Sequence, residues 1–425
     1  MFTPVRRTSG IGRSARLVIR ALRRGGHDVA VVSTDQHPVP VSESVEVGFP
    51  VTDWRDTSSV AAVLATTDLA VYQIGDNYEM HAGAVEWMAR EAGVVCLHDS
   101  FLGNLFLGWA SERPRDEADR VLDWFYGAAM PSTYWQWAAR ADFIERTYEV
   151  APLTEWISAQ ALAVVSHSRW VLPRVLGACA GRVEVADLAW EPRRHAPAHE
   201  RRPDAPLTLL TVGHVNDNKR VRSVLRAIAT SDILRHRLAY RVVGLVHPAT
   251  ADDLRALAHD LGVQLRLDGE VNEATLDQAM ADADIVAALR WPCLEAASAS
   301  TIEAMLAAKP TIVTRAGFYA ELPPDCVAMI DPDDEIAQLT ATLERMVATP
   351  AWRHELGSNA AAHSAQTFTA DRYAEQLVNV CAAALLDRIE IDAITHAART
   401  LARWGLATAN PADEFIFPPT RMPRC

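Results

Sequence analysis

Four short stretches hold the residues whose types and spacing can do chemistry. In "WPCLEAASASTIEAMLAAKPTIV", residues 291–313, Glu295 and Glu303 have seven residues between them, and Ala296, Ala297, Ser298, Ala299 and Ser300 begin that interval. Ser298 reads as an N-cap, with a helix from there to about Lys309. Side chains this small let a ligand reach the positive end of the helix, worth about 0.3–1 kcal/mol to an exposed anion and up to ~2 kcal/mol to a partly buried one. Eight helical steps rise roughly 12 Å, more than the ~5–9.5 Å between the carboxylates of a glycosidase. Two acceptors flanking a phosphate-binding turn suit a long ligand with hydroxyls at both ends, and a nucleotide sugar is one. The plain alternative is two surface glutamates on an amphipathic helix.

The second stretch is "TVGHVNDNKRVRSV", residues 211–224. A strand ends at Val212, Gly213 turns the chain, and Lys219 and Arg220 stand where the next helix starts. Backbone N–H groups and a cation in such a loop suit a phosphate. One ammonium about 4 Å from a phosphate charge contributes roughly 4 kcal/mol at an effective dielectric of about 20. A solvated Lys-Arg pair is the alternative. The third stretch, "VVCLHDS" (94–100), is an apolar strand that delivers His98 and Asp99 at its carboxyl end. His98 there can donate to a sugar hydroxyl or to developing charge, although a lone histidine is more often structural.

The fourth stretch, "SGIGRSA" (9–15), fits G-x-G-x-x-A through Gly10, Gly12 and Ala15, with Asp35 at about the distance a dinucleotide fingerprint expects. Hydride-transfer folds put these glycines directly after the first strand. Here "MFTPV" is a meagre strand, and "RRTS" separates it from Gly10. The glycines therefore fit a looser loop. Arg6, Arg7, Arg13, Arg16, Arg20, Arg23 and Arg24 surround them, a set that attracts an anionic donor or an anionic membrane surface, or simply solvates a helix face. The D-x-D runs in "ADADI" (281–285) and "DPDD" (331–334) read as capping and turn carboxylates, so no metal site is expected.

These stretches need strands and helices to carry them. The chain has 425 residues, 49% apolar and 22% charged, with a formal net charge of −13. That balance is globular, and the acidic surplus argues against nucleic acid as a partner. Cys96, Cys179, Cys293, Cys326, Cys381 and Cys425 form no C-x-x-C motif, which fits buried thiols in a reducing, cytoplasmic setting. Strand-like "HDVAVV", "LAVYQI", "VVCL" and "ALAVV" alternate with helices, then "LTLLTV", "YRVVGLV", "VQLRL", "DIVAAL" and "PTIVT" repeat the rhythm. Two α/β domains follow: 1–190, interrupted by a tryptophan-rich helical insertion at about 101–160, and 207–370. Residues 191–206, "EPRRHAPAHERRPDAP", read as the linker, and 371–425 as helices that pack back toward the first domain, ending in a docking "FIFPP". Two such domains are expected to face a cleft, with ligands outside the carboxyl ends of their strands.

In this order the motifs resemble the family 4 glycosyltransferases. Glu295 and Glu303 match the family's E-x7-E, joined by "SGIGRSA", "LHD", "VSHSRWV", "TVGHVNDNKRV" and "DGEV" across some 320 residues. "LRWPCLEAASAS" is most similar to bacterial polysaccharide and specialised-metabolite transferases. The resemblance implies a GT-B fold and a retaining, metal-independent transfer from a nucleotide-diphosphate sugar to a small-molecule, glycan or lipid-linked acceptor. It implies Gly10 and Gly12 beside the diphosphate, His98 facing the donor sugar, and Lys219 on the diphosphate with Gly213, His214, Asn218 and Arg220 around it. Val271 would meet the base through its backbone, Glu295 the sugar hydroxyls and Glu303 the ribose. Ala297, Ser298 and Ala299 would present N–H groups to phosphate. The family often has arginine where this chain has His214, and Arg220 or Arg290 would take that cation's place. The rival readings are a non-catalytic nucleotide-sugar binder of the same fold, or a GT-B epimerase or phosphorylase.

Overall fold

In the computed structural model, residues 1–44, 48, 50–191, 198–199 and 205–403 are described; most of the expected linker and the terminal "FIFPP" lie outside them. The chain divides into two compact units. Of the described residues, the first holds those of 1–189, 294–297 and 370–403, and the second those of 190–293 and 298–369.

The first unit is built on a seven-stranded parallel sheet: β1 (Phe2–Thr3), β2 (Val31–Ser33), β3 (Val51–Asp53), β4 (Val71–Ile74), β5 (Val94–Leu97), β6 (Ala163–Ser166) and β7 (Arg182–Val185). Their spatial order is β3-β2-β1-β4-β5-β6-β7. The meagre first strand is only two residues long, yet it is central, pairing Phe2 with Val32 on one side and Tyr72 on the other. Apolar runs such as "VVCL" are buried throughout because helices cover both faces of a parallel sheet. Alternation divides each strand between two cores: Val95 and Leu97 join Tyr72, Ile74 and Val164 on one face. Val94 and Cys96 join Leu17, Val18, Val165, Tyr373 and Leu377 on the other. The long helix Ala370–Arg403 covers that second face beside the helix Gly10–Arg24.

Between β5 and β6 the chain forms five helices, from Gly103–Ser111 to Thr154–Ser158. Trp109 and Trp156 are buried there, their rings 4.9 Å apart, and Phe106 stacks on Trp109 and Trp135. These aromatics are the packing layer of the insertion.

The second unit repeats the plan with six parallel strands: β8 (Leu207–Val212), β9 (Leu238–Val243), β10 (Leu265–Gly269), β11 (Ile285–Ala288), β12 (Thr311–Thr314) and β13 (Ala328–Ile330). Their order is β10-β9-β8-β11-β12-β13. Both sheets therefore reverse direction of growth next to their own first strand, at β1/β4 and at β8/β11. At such a switch point the loops leaving neighbouring strands part and open a ligand crevice. The sheets and their order are those of the GT-B, Rossmann-like α/β class expected above.

Candidate functional site

In the first unit, the loop after β1 runs into the helix Gly10–Arg24. Ser9 caps this helix by accepting the Gly12 N–H at 3.1 Å. A Cβ on Gly12 would stand 2.4 Å from the Pro4 carbonyl oxygen, so only glycine lets the helix start this close to the loop. Gly10 has nothing within 4 Å of the equivalent position. Asp35, the acid of the dinucleotide pattern, is fully buried and faces inward. Its Oδ2 accepts the Val5 N–H at 2.8 Å and the Ser33 hydroxyl at 3.3 Å, and Arg6 lies 3.5 Å from Oδ1. It ties down the glycine loop and is not presented to a ribose, which closes the NAD reading.

The loops after β4 and β5 bring acids together. Asp76, just beyond β4, accepts the backbone N–H groups of Asn104 (2.8 Å) and Leu105 (3.0 Å) and the Asn104 side-chain amide (2.6 Å). It thereby caps the helix Gly103–Ser111, which has no side-chain cap of its own. Asp99, just beyond β5, accepts the Asp76 N–H at 2.8 Å. Residues 294–297 lie against this end of the sheet. Leu294 O accepts the Ser100 N–H at 2.7 Å, the Ala296 N–H reaches His98 O at 2.8 Å, and Glu295 pairs with Asp99 as an antiparallel bridge. Burial pushes the Asp99 carboxyl up to about 7, against the pull of the Asp76 N–H, and the neighbouring Glu295 charge adds to the rise. Burial, then the charge of Asp99, lifts Asp76 well above the usual carboxylate range.

His98 differs from expectation. Its Nε2 donates to Gln73 Oε1 at 2.6 Å, and its ring packs 4.5 Å from that of His167. His81 and His167 bond through Nδ1 to the carbonyls of Gln73 and Ala186, both at 2.9 Å. Burial, with the neighbouring imidazoles, holds His98 well below its ordinary value and burial brings His81 and His167 to about 4 each. His98 is a neutral, 7% exposed imidazole whose Nε2 proton goes to a glutamine, so that proton is not the one offered to a sugar.

In the second unit the loop after β8 carries the cation. Gly213 turns with φ +105°, and a side chain there would meet the Lys219 ammonium at 2.8 Å. Lys219 is buried and its Nζ donates to Val212 O at 2.9 Å, at the carboxyl end of β8. His214 beside it is exposed and Asn218 partly so. The Trp291 N–H, in the loop after β11, donates to Asn218 O at 2.9 Å, joining the two loops of the switch point. Arg220 departs from its expected part as a phosphate ligand. Its Nε lies 3.0 Å from both oxygens of Glu335, and a terminal nitrogen 2.9 Å from one of them. Its charge already has a carboxylate. Arg290 is buried, with Nη1 donating to Leu289 O at 2.7 Å.

Ser298 occupies the N-cap of the helix Ala299–Leu306, but its side chain does not cap it; its hydroxyl accepts from Thr301 Oγ1 at 3.1 Å. The helix stops at Leu306, short of the expected Lys309, as Ala308 turns to φ +55° ahead of Pro310; the Lys309 ammonium, outside the helix, reaches the carbonyls of Ala281 and Ala283. Glu303 is only 4% exposed, so it is no surface carboxylate. Val271 follows β10, just ahead of the Asn272 cap of Glu273–Asp282. Asp282 and Asp284 accept the backbone N–H groups of His199 (2.9 Å) and Thr208 (2.8 Å), and Asp331 pairs with Arg315 at 2.8 Å. Asp282, Asp284 and Asp331 are thus engaged with backbone N–H groups and an arginine, and none of the three caps a helix through its side chain.

With this loop set in place, comparison with known families finds a similarity in one segment of the chain. Residues 193–363 match the family Glycosyl transferases group 1. The matched segment contains β8–β13 and the Lys219 and Glu303 elements; Glu295 lies within its bounds too, although it packs in the first unit. The search of curated proteins returned no match. The fold is shared with sucrose-phosphate synthase from Thermosynechococcus elongatus, at 15% identity over 88% of this chain and 92% of that one, TM-score 0.62. It is shared with Anabaena HepE in complex with UDP and glucose, at 14% identity over 89% and 97%, TM-score 0.58. WaaG, a glycosyltransferase involved in lipopolysaccharide biosynthesis, aligns at 17% identity over 89% and 98%, TM-score 0.55. Among the described residues, no helix is long and apolar enough to cross a membrane.

The sequence reading missed Asp76, Gln73, His81, His167 and Glu335. For Asp76 a signal existed: "VYQIGD" ends an apolar strand on an acid, as "VVCLHD" does. Glu335 carried none, since it sits 115 residues from Arg220.

Proposed function

We propose that the protein is a retaining glycosyltransferase that moves a sugar from a nucleotide-diphosphate sugar to an acceptor hydroxyl in bacterial polysaccharide or specialised-metabolite synthesis. One observation carries the reading: at the switch point of the second sheet, the Lys219 ammonium stands at the carboxyl end of β8, in a loop bonded to the one that leads toward the helix Ala299–Leu306. The diphosphate binds there. Lys219 and the N–H groups of Ser298 and Ala299 take up charge as the bond from the anomeric carbon to the diphosphate breaks. The acceptor oxygen forms its bond on the same face of the oxocarbenium-like centre. In this reading no metal ion carries the leaving-group charge. Glu303, buried in the second turn of the same helix, takes the ribose hydroxyls, and Glu295 the sugar hydroxyls.

The test is a thermal-shift panel of UDP-, GDP-, ADP- and dTDP-sugars, followed by assay of nucleoside diphosphate release without acceptor and in EDTA. One donor should raise the Tm and be hydrolysed slowly, with EDTA making no difference. A donor that stabilises but never turns over leaves a binder; turnover that requires inorganic phosphate leaves a phosphorylase. No stabilisation by any of the four sinks the donor assignment.

A further inference from the structure

We infer that Glu335 is a positioning residue for Lys219, acting through Arg220; the inference rests on the reading of Lys219 as the diphosphate ligand. Arg220 adopts φ +58°, ψ +27°, a left-handed conformation that non-glycine residues occupy at a cost. That single residue reverses the chain between the 3-10 turn Asp217–Lys219 and the helix Val221–Ala229. The reversal sends the Lys219 side chain back over Gly213 to Val212 O.

Arg220 is held in this state from outside its own loop. The carboxylate of Glu335, 5% exposed, receives three short contacts from the guanidinium, at 3.0, 3.0 and 2.9 Å. A buried carboxylate bonded in this way needs its cation, since removing either partner strands the other. Glu335 is itself fixed. It opens the helix Glu335–Ala348, which is bound along its length to the 220–231 segment. Thr340 Oγ1 bonds to Ala227 O at 3.1 Å and to Thr230 Oγ1 at 2.9 Å, and Ser231 Oγ donates to Glu344 at 2.6 Å. On its other side the loop is pinned by Val215 N–H to Leu245 O (2.8 Å) and by Trp291 N–H to Asn218 O (2.9 Å). Lys219 thus lies between two anchors, Asn218 and Arg220, and Glu335 supplies the second. Arg220 spends its charge on this clamp, leaving Lys219 to meet the phosphate.

The experiment measures inorganic pyrophosphate affinity by calorimetry for wild type, Lys219→Ala, Glu335→Ala, the double variant K219A/E335A, and R220G/E335A, with thermal melts alongside. Lys219→Ala should weaken binding more than tenfold. Glu335→Ala should weaken it about five- to tenfold, and should add less than twofold in the K219A background, because its effect passes through Lys219. R220G/E335A should recover affinity over E335A to within about threefold of wild type, because glycine takes the left-handed conformation without the clamp. Wild-type affinity in K219A would overturn the diphosphate reading and the clamp together. A loss from E335A that persists undiminished in K219A, or no recovery in R220G/E335A, would overturn the clamp alone. If E335A fails to fold, Glu335→Gln replaces it in every arm, with the same outcomes deciding.

Discussion

Lys219 holds its ammonium on a carbonyl that closes β8, and a diphosphate offers that ammonium a full charge in place of a dipole. Lys219→Ala should therefore lower kcat/KM for the donor more than tenfold, with kcat falling if the lysine senses the leaving group; a change under twofold in steady-state kinetics removes it from the mechanism. His98 shows the limit of single residues as signals. "LHD" at a strand end reads as a sugar contact, but a lone histidine in sequence does not reveal that His167 packs on its ring, that His81 lies near and that Gln73 Oε1 accepts its Nε2–H. Lys219 was legible because the strand, the glycine turn and the cation are consecutive, so local geometry alone presents them.

Helix starts and ends decide what the motifs can reach. The helix Gly10–Arg24 begins against Pro4, and the two glycines of its first turn differ in the space around them. Gly12→Ala should force that start away from the loop, destabilising the fold by about 1–3 kcal/mol and weakening donor binding. Gly10→Ala meets no atom and should leave the Tm within a degree or two. Chemical denaturation of the two variants checks the contrast; equal stability would mean the helix start yields without cost. Asp76 makes a second test at this scale. Asp76→Ala strips three bonds from the start of Gly103–Ser111 and should cost about 0.5–2 kcal/mol, as loss of a cap does. The helix at Ser298 was legible from its small residues and spacing. Its stop at Leu306, short of Lys309, lies in the backbone, at the left-handed turn of Ala308 just ahead of Lys309-Pro310.

Across the molecule, pH acts through buried imidazoles. His81, His98 and His167 are kept neutral in the fold, with His81 and His167 titrating at about 4 against 6.5 when unfolded. The unfolded chain binds more protons in that window, so the stability these groups contribute is present above about pH 6.5 and is lost as pH falls toward 4. Between pH 6.5 and 4.5 the Tm of His167→Asn should fall less, or rise more, than that of the wild type; an identical pH dependence of Tm in the two would contradict the buried neutral cluster. Asp99 runs the other way over the same interval: with its carboxyl raised from 3.8 to about 7, it disfavours the fold increasingly as pH climbs from about 4 to about 7, and Asp99→Asn should remove that decline.

The amino-acid sequence alone determined the alternation of strands and helices, the two α/β sets and the placement of Gly213, Lys219 and Glu295 on loops that follow strands. Those features depend on periodicities of two to four residues and on turn chemistry, which neighbouring residues express without help. Only the tertiary structure decided which loops meet. The order β3-β2-β1-β4 and its counterpart β10-β9-β8-β11 put the first and fourth loops of each unit side by side. The same pairing buried Asp35 under the glycine loop, gathered three histidines from separate elements, and gave Arg220 a carboxylate 115 residues away. Such partners are chosen by backbone pairing between distant strands and by the cost of burying a charge alone, and neither leaves a mark on the local sequence.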